Sequence, residues 1–199
     1  VGYTLTYDTR DDIALPSTGL IIRGAQEFAG LGGDIRYIKS TAKLAYYYPF
    51  TYDVVGNVTL AGGNIIGLDQ NVRVLNRFFL GGDSFRGFES GGIGPRDADS
   101  KDSIGGNTYA VLTGEMRFPI GLPNEFGVLG RAFTQMGTVL DPDVSGRDLQ
   151  DSNSLRLSIG VGLSWRSPFG PIRIDMSQAV LKEDFDKDEF FRFSFGTRF

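Results

Sequence analysis

The residue whose setting most invites chemistry is Arg86. It lies in Phe85-Arg86-Gly87-Phe88, at the centre of Leu80 to Pro95, with glycines on both sides. A guanidinium in such a setting suits bidentate recognition of a carboxylate, and a charge taken inside a fold demands a partner of that kind. The same composition also fits a glycine-rich surface loop with a solvated arginine. The acidic clusters are weaker prospects. Asp184, Asp186, Asp188 and Glu189 carry near-alternating carboxylates that could bind a divalent cation weakly. They lack the spacing of a calcium loop, so a solvated outer loop is the preferred reading. Asp8, Asp11 and Asp12 read as a turn cluster, and Asp97, Asp99 and Asp102 as a solvated loop. The chain has no His and no Cys. This removes the commonest general base, the commonest metal ligand and any disulfide or thiolate site. No catalytic set, metal or cofactor is expected, and the chain does not read as an enzyme.

Arg86 sits within a long polar segment, from about Gly62 to Asn107, between two runs that read as strands. Structureless loops of this length are uncommon in compact domains and are usually functional or disordered. Phe78, Phe79, Phe85 and Phe88 give this one apolar side chains to bury. It is expected to fold back onto something, with Arg86 as its polar anchor. The length of 199 residues suits one domain or a piece of a larger protein. A net charge of −4 gives no basic footprint for nucleic acid. No apolar run approaches the length of a transmembrane helix. The chain opens directly in a strand-like pattern, VGYTLTY, rather than a signal peptide, so it is expected to be mature, truncated or both.

The dominant period is two, which puts alternate side chains on opposite faces of a strand. Leu155, Leu157, Ile159, Val161, Leu163 and Trp165 share one face, against Arg156, Ser158, Gly160, Gly162 and Ser164 on the other. Ile172, Ile174 and Met176 alternate with Arg173, Asp175 and Ser177. Phe191, Phe193 and Phe195 alternate with Arg192, Ser194 and Gly196. Ala110, Leu112, Gly114, Met116 and Phe118 alternate with Val111, Thr113, Glu115 and Arg117. Nine strands are expected, near 2–9, 18–28, 35–48, 53–63, 107–118, 127–140, 154–165, 170–180 and 189–199, separated by Gly-, Pro- and Asp-rich segments. No helical period, second domain or linker is seen. The fold class is therefore all-β and antiparallel.

Alternation alone fits a soluble sandwich with its apolar face inward, or a membrane barrel with that face outward. Three features favour the barrel. The polar face combines charge with many glycines. Aromatics stand at strand ends (Tyr46, Tyr47, Tyr48 and Phe50; Phe118; Trp165 and Phe169), as interfacial girdles require. Short connections (Pro49–Asp53, Pro119–Phe126, Ser167–Gly170) alternate with long ones (Ile65–Gly106, Asp141–Asn153, Leu181–Asp188), as periplasmic turns and outer loops do. The chain closes on Phe199, in alternation with Phe191, Phe193 and Phe195. An odd number of strands conflicts with the even numbers of bacterial single-chain barrels and leaves edges unpaired in lipid. The chain is thus expected to be part of a larger barrel, missing its first strands. The inner-face arginines Arg156, Arg166, Arg173, Arg192 and Arg198 have Asp175 or water as their candidate partners.

Several motifs in order carry a family resemblance: Gly81-Gly82, Phe85-Arg86-Gly87-Phe88, Ile93-Gly94-Pro95, Gly105-Gly106-Asn107, Gly114 to Pro119, Phe133 to Val139, and Trp165 to Pro171, with Asp11 to Gly19 as a turn. Together they resemble the BamA superfamily of outer-membrane protein assembly factors, which has relatives in two-partner secretion and in organelles. The resemblance spans residues 1–199. It implies the C-terminal part of an integral barrel in the outer membrane of a Gram-negative bacterium, roughly the last nine strands of a sixteen-stranded barrel, with a long loop at about 64–106.

The resemblance also assigns roles. The loop folds into the lumen, and its arginine meets acidic residues on the wall. Here Glu115 is the candidate partner, and Gln135 stands where the family often has an aspartate, so it supplies a hydrogen bond without charge. The last strand forms a lateral seam with the first, where an incoming strand can add by β-augmentation. Phe191, Phe193, Phe195 and Gly196 belong to that strand, Gly196 with a bare packing role as the alternative, and Phe199 resembles the C-terminal assembly signal. The expected function is folding and insertion of outer-membrane β-barrel proteins by strand templating. The expected partners are those unfolded proteins, accessory assembly lipoproteins bound through periplasmic domains, and outer-membrane lipid. A polypeptide-secretion pore of the two-partner type is the alternative, and a passive diffusion barrel a third.

Overall fold

A computed structural model of the chain describes residues 1–30, 32, 34–143, 148–150, 153–168 and 170–196. The period-two runs form β1 (Gly2–Asp8), β2 (Gly19–Ala29), β3 (Tyr37–Pro49), β4 (Val55–Gly67), β6 (Thr108–Pro119), β7 (Val128–Leu140), β9 (Arg156–Ser167), β10 (Gly170–Leu181) and β11 (Phe191–Phe195). These nine make one sheet in the order β1-β2-β3-β4-β6-β7-β9-β10-β11, each neighbour antiparallel to the next. Two further strands, β5 (Arg96–Asp97) and β8 (Leu149–Gln150), pair with each other as a small separate ribbon that the sequence pattern does not announce. Residues 197–199, with Phe199 and Arg198, and the aromatic Phe169 lie outside the described residues.

The sheet has two chemically different faces. Leu60 (52% exposed), Val161 (58%) and Phe193 (56%) stand on the outer face, with Tyr46, Tyr48, Leu112, Met116 and Trp165 among their companions. So wide an apolar surface is unstable in water and belongs against hydrocarbon. Among the described residues no helix is long and apolar enough to cross a membrane. A β-barrel crosses with strands, whose backbone groups satisfy one another.

From β6 to β10 the inner face is covered by the long loop, while β1 is exposed along its length. Leu80, Phe85, Phe88 and Ile93 of the loop pack on Val111 of β6 and Val139 of β7, with Tyr109 and Ala179 beside them. This is the core of the molecule, and half of its residues come from the loop. The loop is structured by its own bridges, Phe78↔Gly106, Leu80↔Ile93 and Arg96↔Ser103, and by a one-turn 3-10 helix at Val74–Asn76.

β4 continues to Gly67, beyond the expected end near 63. The pair Gly62-Gly63 reads as a strand breaker, but here it marks a close approach. A Cβ at Gly63 would come 2.7 Å from the Tyr109 ring and 2.8 Å from the Phe78 ring. Those rings stack across the inner face with centroids 4.7 Å apart. The glycine makes room for the loop instead of ending the strand.

Candidate functional site

The site is built where the centre of the loop meets four strands, β6, β7, β9 and β10. Gly87 has φ +93°, and a Cβ there would approach the Ser158 Cβ to 2.8 Å. Only glycine permits both the left-handed backbone and that proximity, so the chain turns tightly against β9 after Arg86. Phe85 fills the space over Gly137 of β7, where a Cβ would meet the Phe85 ring at 3.0 Å. The Phe85 and Phe88 rings touch edge to face with centroids 5.4 Å apart. Both phenylalanines are fully buried, one on either side of Arg86 in the chain.

Arg86 is 7% exposed. Its backbone N–H and its Nε both donate to Gln135 Oε1, at 2.8 and 3.0 Å. Its Nη1 donates to Glu115 Oε2 at 2.9 Å and lies 3.9 Å from Asp175 Oδ2. The guanidinium carbon stands 3.4 Å from the centre of the Phe133 ring, a desolvated cation–π contact. Gln135 is itself oriented, its Nε2 donating to Thr113 Oγ1 at 2.9 Å.

A second arginine completes the arrangement. Arg131 of β7 donates through Nε to Glu115 Oε1 at 3.1 Å and through Nη2 to Glu115 Oε2 at 2.6 Å. Its Nη1 reaches Asp175 Oδ1 of β10 at 3.2 Å. In register Arg131 faces Gly162 of β9, and Gly162 faces Asp175. The missing side chain at Gly162 leaves the space that Asp175 occupies. Two arginines and two carboxylates thus form a neutral, mutually hydrogen-bonded cluster on the inner wall. Burial of these charges is tolerable because each has partners.

The structure therefore brings Arg86, Glu115 and Gln135 into one site. Gln135 holds the loop by accepting two hydrogen bonds, and the charge that it lacks comes from Asp175. Arg131 is not singled out by the sequence reading, and Asp175 appears there only as a partner for other arginines. Arg156 does not use Asp175. It binds Asp186, Nε to Oδ2 at 2.9 Å and Nη2 to Oδ1 at 3.3 Å, with both side chains fully buried. Asp186 thereby leaves the solvated outer loop expected of its cluster. Asp188 pairs with Lys182 at 3.0 Å and Glu189 pairs with Arg192. Among the described residues no group of three or more acidic, His or Cys side chains is arranged to hold a metal.

The last strand presents Phe191, Phe193 and Phe195 outward, with Arg192 and Ser194 inward. Gly196 has φ +108°, and its N–H donates to Pro171 carbonyl at 3.1 Å. Among the described residues, its chain neighbours apart, no atom lies within 4 Å of a Cβ built there. The demand for glycine that these residues show is the positive φ.

Comparison with known proteins matches residues 1–199 to the Omp85 superfamily domain. The outer membrane protein assembly factor BamA of Neorickettsia risticii is 36% identical over 201 residues, covering 100% of this chain and 27% of that protein. The protein of the same name from Neisseria meningitidis serogroup B is 29% identical over 218 residues, covering 95% and 27%. The mouse sorting and assembly machinery component 50 homolog is 34% identical over 112 residues, 55% of this chain and 24% of its own. The chain thus spans about a quarter of the length of these relatives. The crystal structure of Haemophilus ducreyi BamA lacking POTRA domains 1–3 superposes with a TM-score of 0.85 at 23% identity, over 96% of this chain and 41% of that one. The nine-stranded sheet is accordingly a portion of that barrel fold, and the chain belongs to the Omp85 superfamily.

Proposed function

We propose that this chain is the C-terminal part of the transmembrane barrel of an outer-membrane protein assembly factor, which folds and inserts β-barrel proteins without covalent chemistry. The observation that carries the reading is the buried cluster of Arg86, Glu115, Arg131 and Asp175. Four buried charged side chains hold a loop of this length against the inner wall, which suits a barrel in which loop and wall act together. Likeness over 95–100% of this chain to proteins bearing the assembly-factor name supports the same choice. In this reading the sheet lies in the outer membrane of a Gram-negative bacterium. β11 is the last strand at the lateral seam, Phe191, Phe193 and Phe195 face lipid there, and Gly196 bends its end. An unfolded client adds its strand to the exposed edge, where unpaired N–H and C=O groups template it. Accessory lipoproteins would engage periplasmic parts of the parent protein.

The test uses the parent protein in proteoliposomes, as wild type and as Arg86→Ala. An unfolded outer-membrane barrel protein is added, and its folding rate is followed beside transport of a soluble extended passenger. The expected outcome is faster barrel folding with the wild type and loss of most of that acceleration in the variant. Passenger transport without barrel folding would shift the function to a secretion pore.

A further inference from the structure

The loop is held at a second place, apart from the arginine cluster, and that place is the last strand. Among the described residues the β10–β11 register runs from Ile172↔Phe195 to Met176↔Phe191, with one further backbone bond at each end, Ser177 N–H to Phe190 carbonyl and Gly196 N–H to Pro171 carbonyl, whereas β9 and β10 pair from Gly170↔Ser167 to Leu181↔Leu157. The segment leading into β11 turns to the loop instead. Glu89 N–H donates to Lys187 carbonyl at 2.9 Å, and Lys187 N–H donates to Gly92 carbonyl at 2.9 Å. Glu189 N–H donates to Gly87 carbonyl at 3.1 Å, and Phe88 bridges Asp188. Gly87 and Glu89, on either side of Phe88, are thus hydrogen-bonded directly to the approach of β11.

Side chains extend this hold down the strand. The Ser194 hydroxyl donates to Asp83 Oδ1 at 2.8 Å, and the Arg192 guanidinium lies 3.6 Å from the same oxygen. Gly82, with φ +62°, brings the loop backbone against Arg192, where a Cβ would come 3.1 Å from Nη2. Arg192 stands opposite Asp175 in the β10–β11 register, yet its ion pairs go to Asp83 and Glu189. Asp83 therefore helps direct the β11 cation to the loop, while Asp175 serves Arg86 and Arg131.

We propose that Asp83 is a positioning residue for the seam strand: through Arg192 and Ser194 it fastens β11 to the lumen loop, so that loop seating and seam pairing are set together. This rests on the reading of β11 as the strand at the lateral seam. With the loop seated, β11 is pinned inward along its lumen face. With Asp83 released, the short β10 pairing is left to hold the strand, and the β11 edge becomes more available. A partly exposed ion pair with one hydroxyl bond is a modest fastening, which suits a contact that must open.

The experiment uses the parent protein in lipid nanodiscs and reads hydrogen exchange of a peptide spanning 187–196. Asp83→Ala is expected to raise exchange in that peptide about 3- to 10-fold, the size of one such contact, with exchange of 128–135 in β7 unchanged. A second variant carries Asp83→Cys with Ser194→Cys. Oxidation is expected to return exchange to the wild-type level or below and to slow client folding, and reduction to reverse both. Unchanged exchange in Asp83→Ala, or a cysteine pair that does not oxidise, overturns the proposal. The exchange readout needs no client. If client folding is absent while β11 exchange responds, the assembly reading fails and the positioning role stands; if folding proceeds and exchange is silent, the positioning role fails alone.

Discussion

Glu115 is the residue on which the inner cluster turns, since Arg131 donates to both of its oxygens and Arg86 shares Oε2. Replacing it by Gln keeps the shape and removes one of the two carboxylates that neutralise Arg86 and Arg131. Leaving a buried charge uncompensated costs about 3–5 kcal/mol. Glu115→Gln in the parent protein is expected to lower the temperature at which the barrel loses its compact gel mobility, and Glu115→Ala more so. Outside the membrane span, Asp11 offers a pH-dependent contact. The Ser17 hydroxyl, and then the backbone N–H groups of Thr18 and Ser17, hold its carboxyl well below the usual carboxylate range. A depressed carboxylate contributes stability that is complete above its unfolded pKa, about 3.9, and is lost as pH falls through the folded value. The turn at 9–18 should therefore be unchanged between pH 7 and pH 5 and loosen only in stronger acid. Amide shifts of Ser17 and Thr18 would show this, and Asp11→Asn would abolish the dependence. Of these residues, alternation put Glu115 on the inner face, while its pairing with Arg86 and the place of Gln135 came from the family resemblance. Arg131 and Asp175 were not, since alternation does not say which strands stand side by side or at what height. Their meeting depends on Gly162, a missing side chain on a third strand.

Among the elements, the loop was legible as a folded-back segment from its phenylalanines, and its upstream end was set too early for a physical reason. Glycine marks both turns and close approaches, and Gly63 is the second kind, a slot for Phe78 and Tyr109. The fastening of the loop to the approach of β11 was hidden for a different reason. It is made largely of backbone hydrogen bonds, which carry no residue signature. Gly196 shows how the two meanings of glycine lead to different predictions. Packing would make any larger residue clash, yet among the described residues nothing beyond its chain neighbours lies within 4 Å of a Cβ there. Its backbone at φ +108° would strain any other residue, by about 1–3 kcal/mol. Gly196→Ala should then be nearly as harmful as Gly196→Val. Both are expected to straighten the end of β11 and slow client folding in the parent protein. A large effect of Val with none of Ala would return the residue to a packing role.

At the scale of the whole molecule, the sheet is an open one among the described residues, with β1 and β11 as its edges. Hydrocarbon offers no partner for backbone N–H and C=O groups, and each unsatisfied group there costs several kcal/mol. Two open edges and an apolar outer face cannot both be accommodated by one copy of this chain in a micelle or bilayer. The sheet can close by gaining strands from the parent barrel, or its edges can find other copies. The inner cluster does not remedy this, because β6, β7 and β10 lie within the sheet and not at its β1 edge. The 199-residue chain refolded alone into detergent is therefore expected to give oligomers and aggregates by light scattering, without a heat-modifiable monomer band. The parent protein under the same conditions should give one. A compact, heat-resistant monomer of the isolated chain would mean that β1 and β11 pair with each other. The sheet would then be a complete nine-stranded barrel, and the proposal that these strands are the C-terminal part of a larger one would fall.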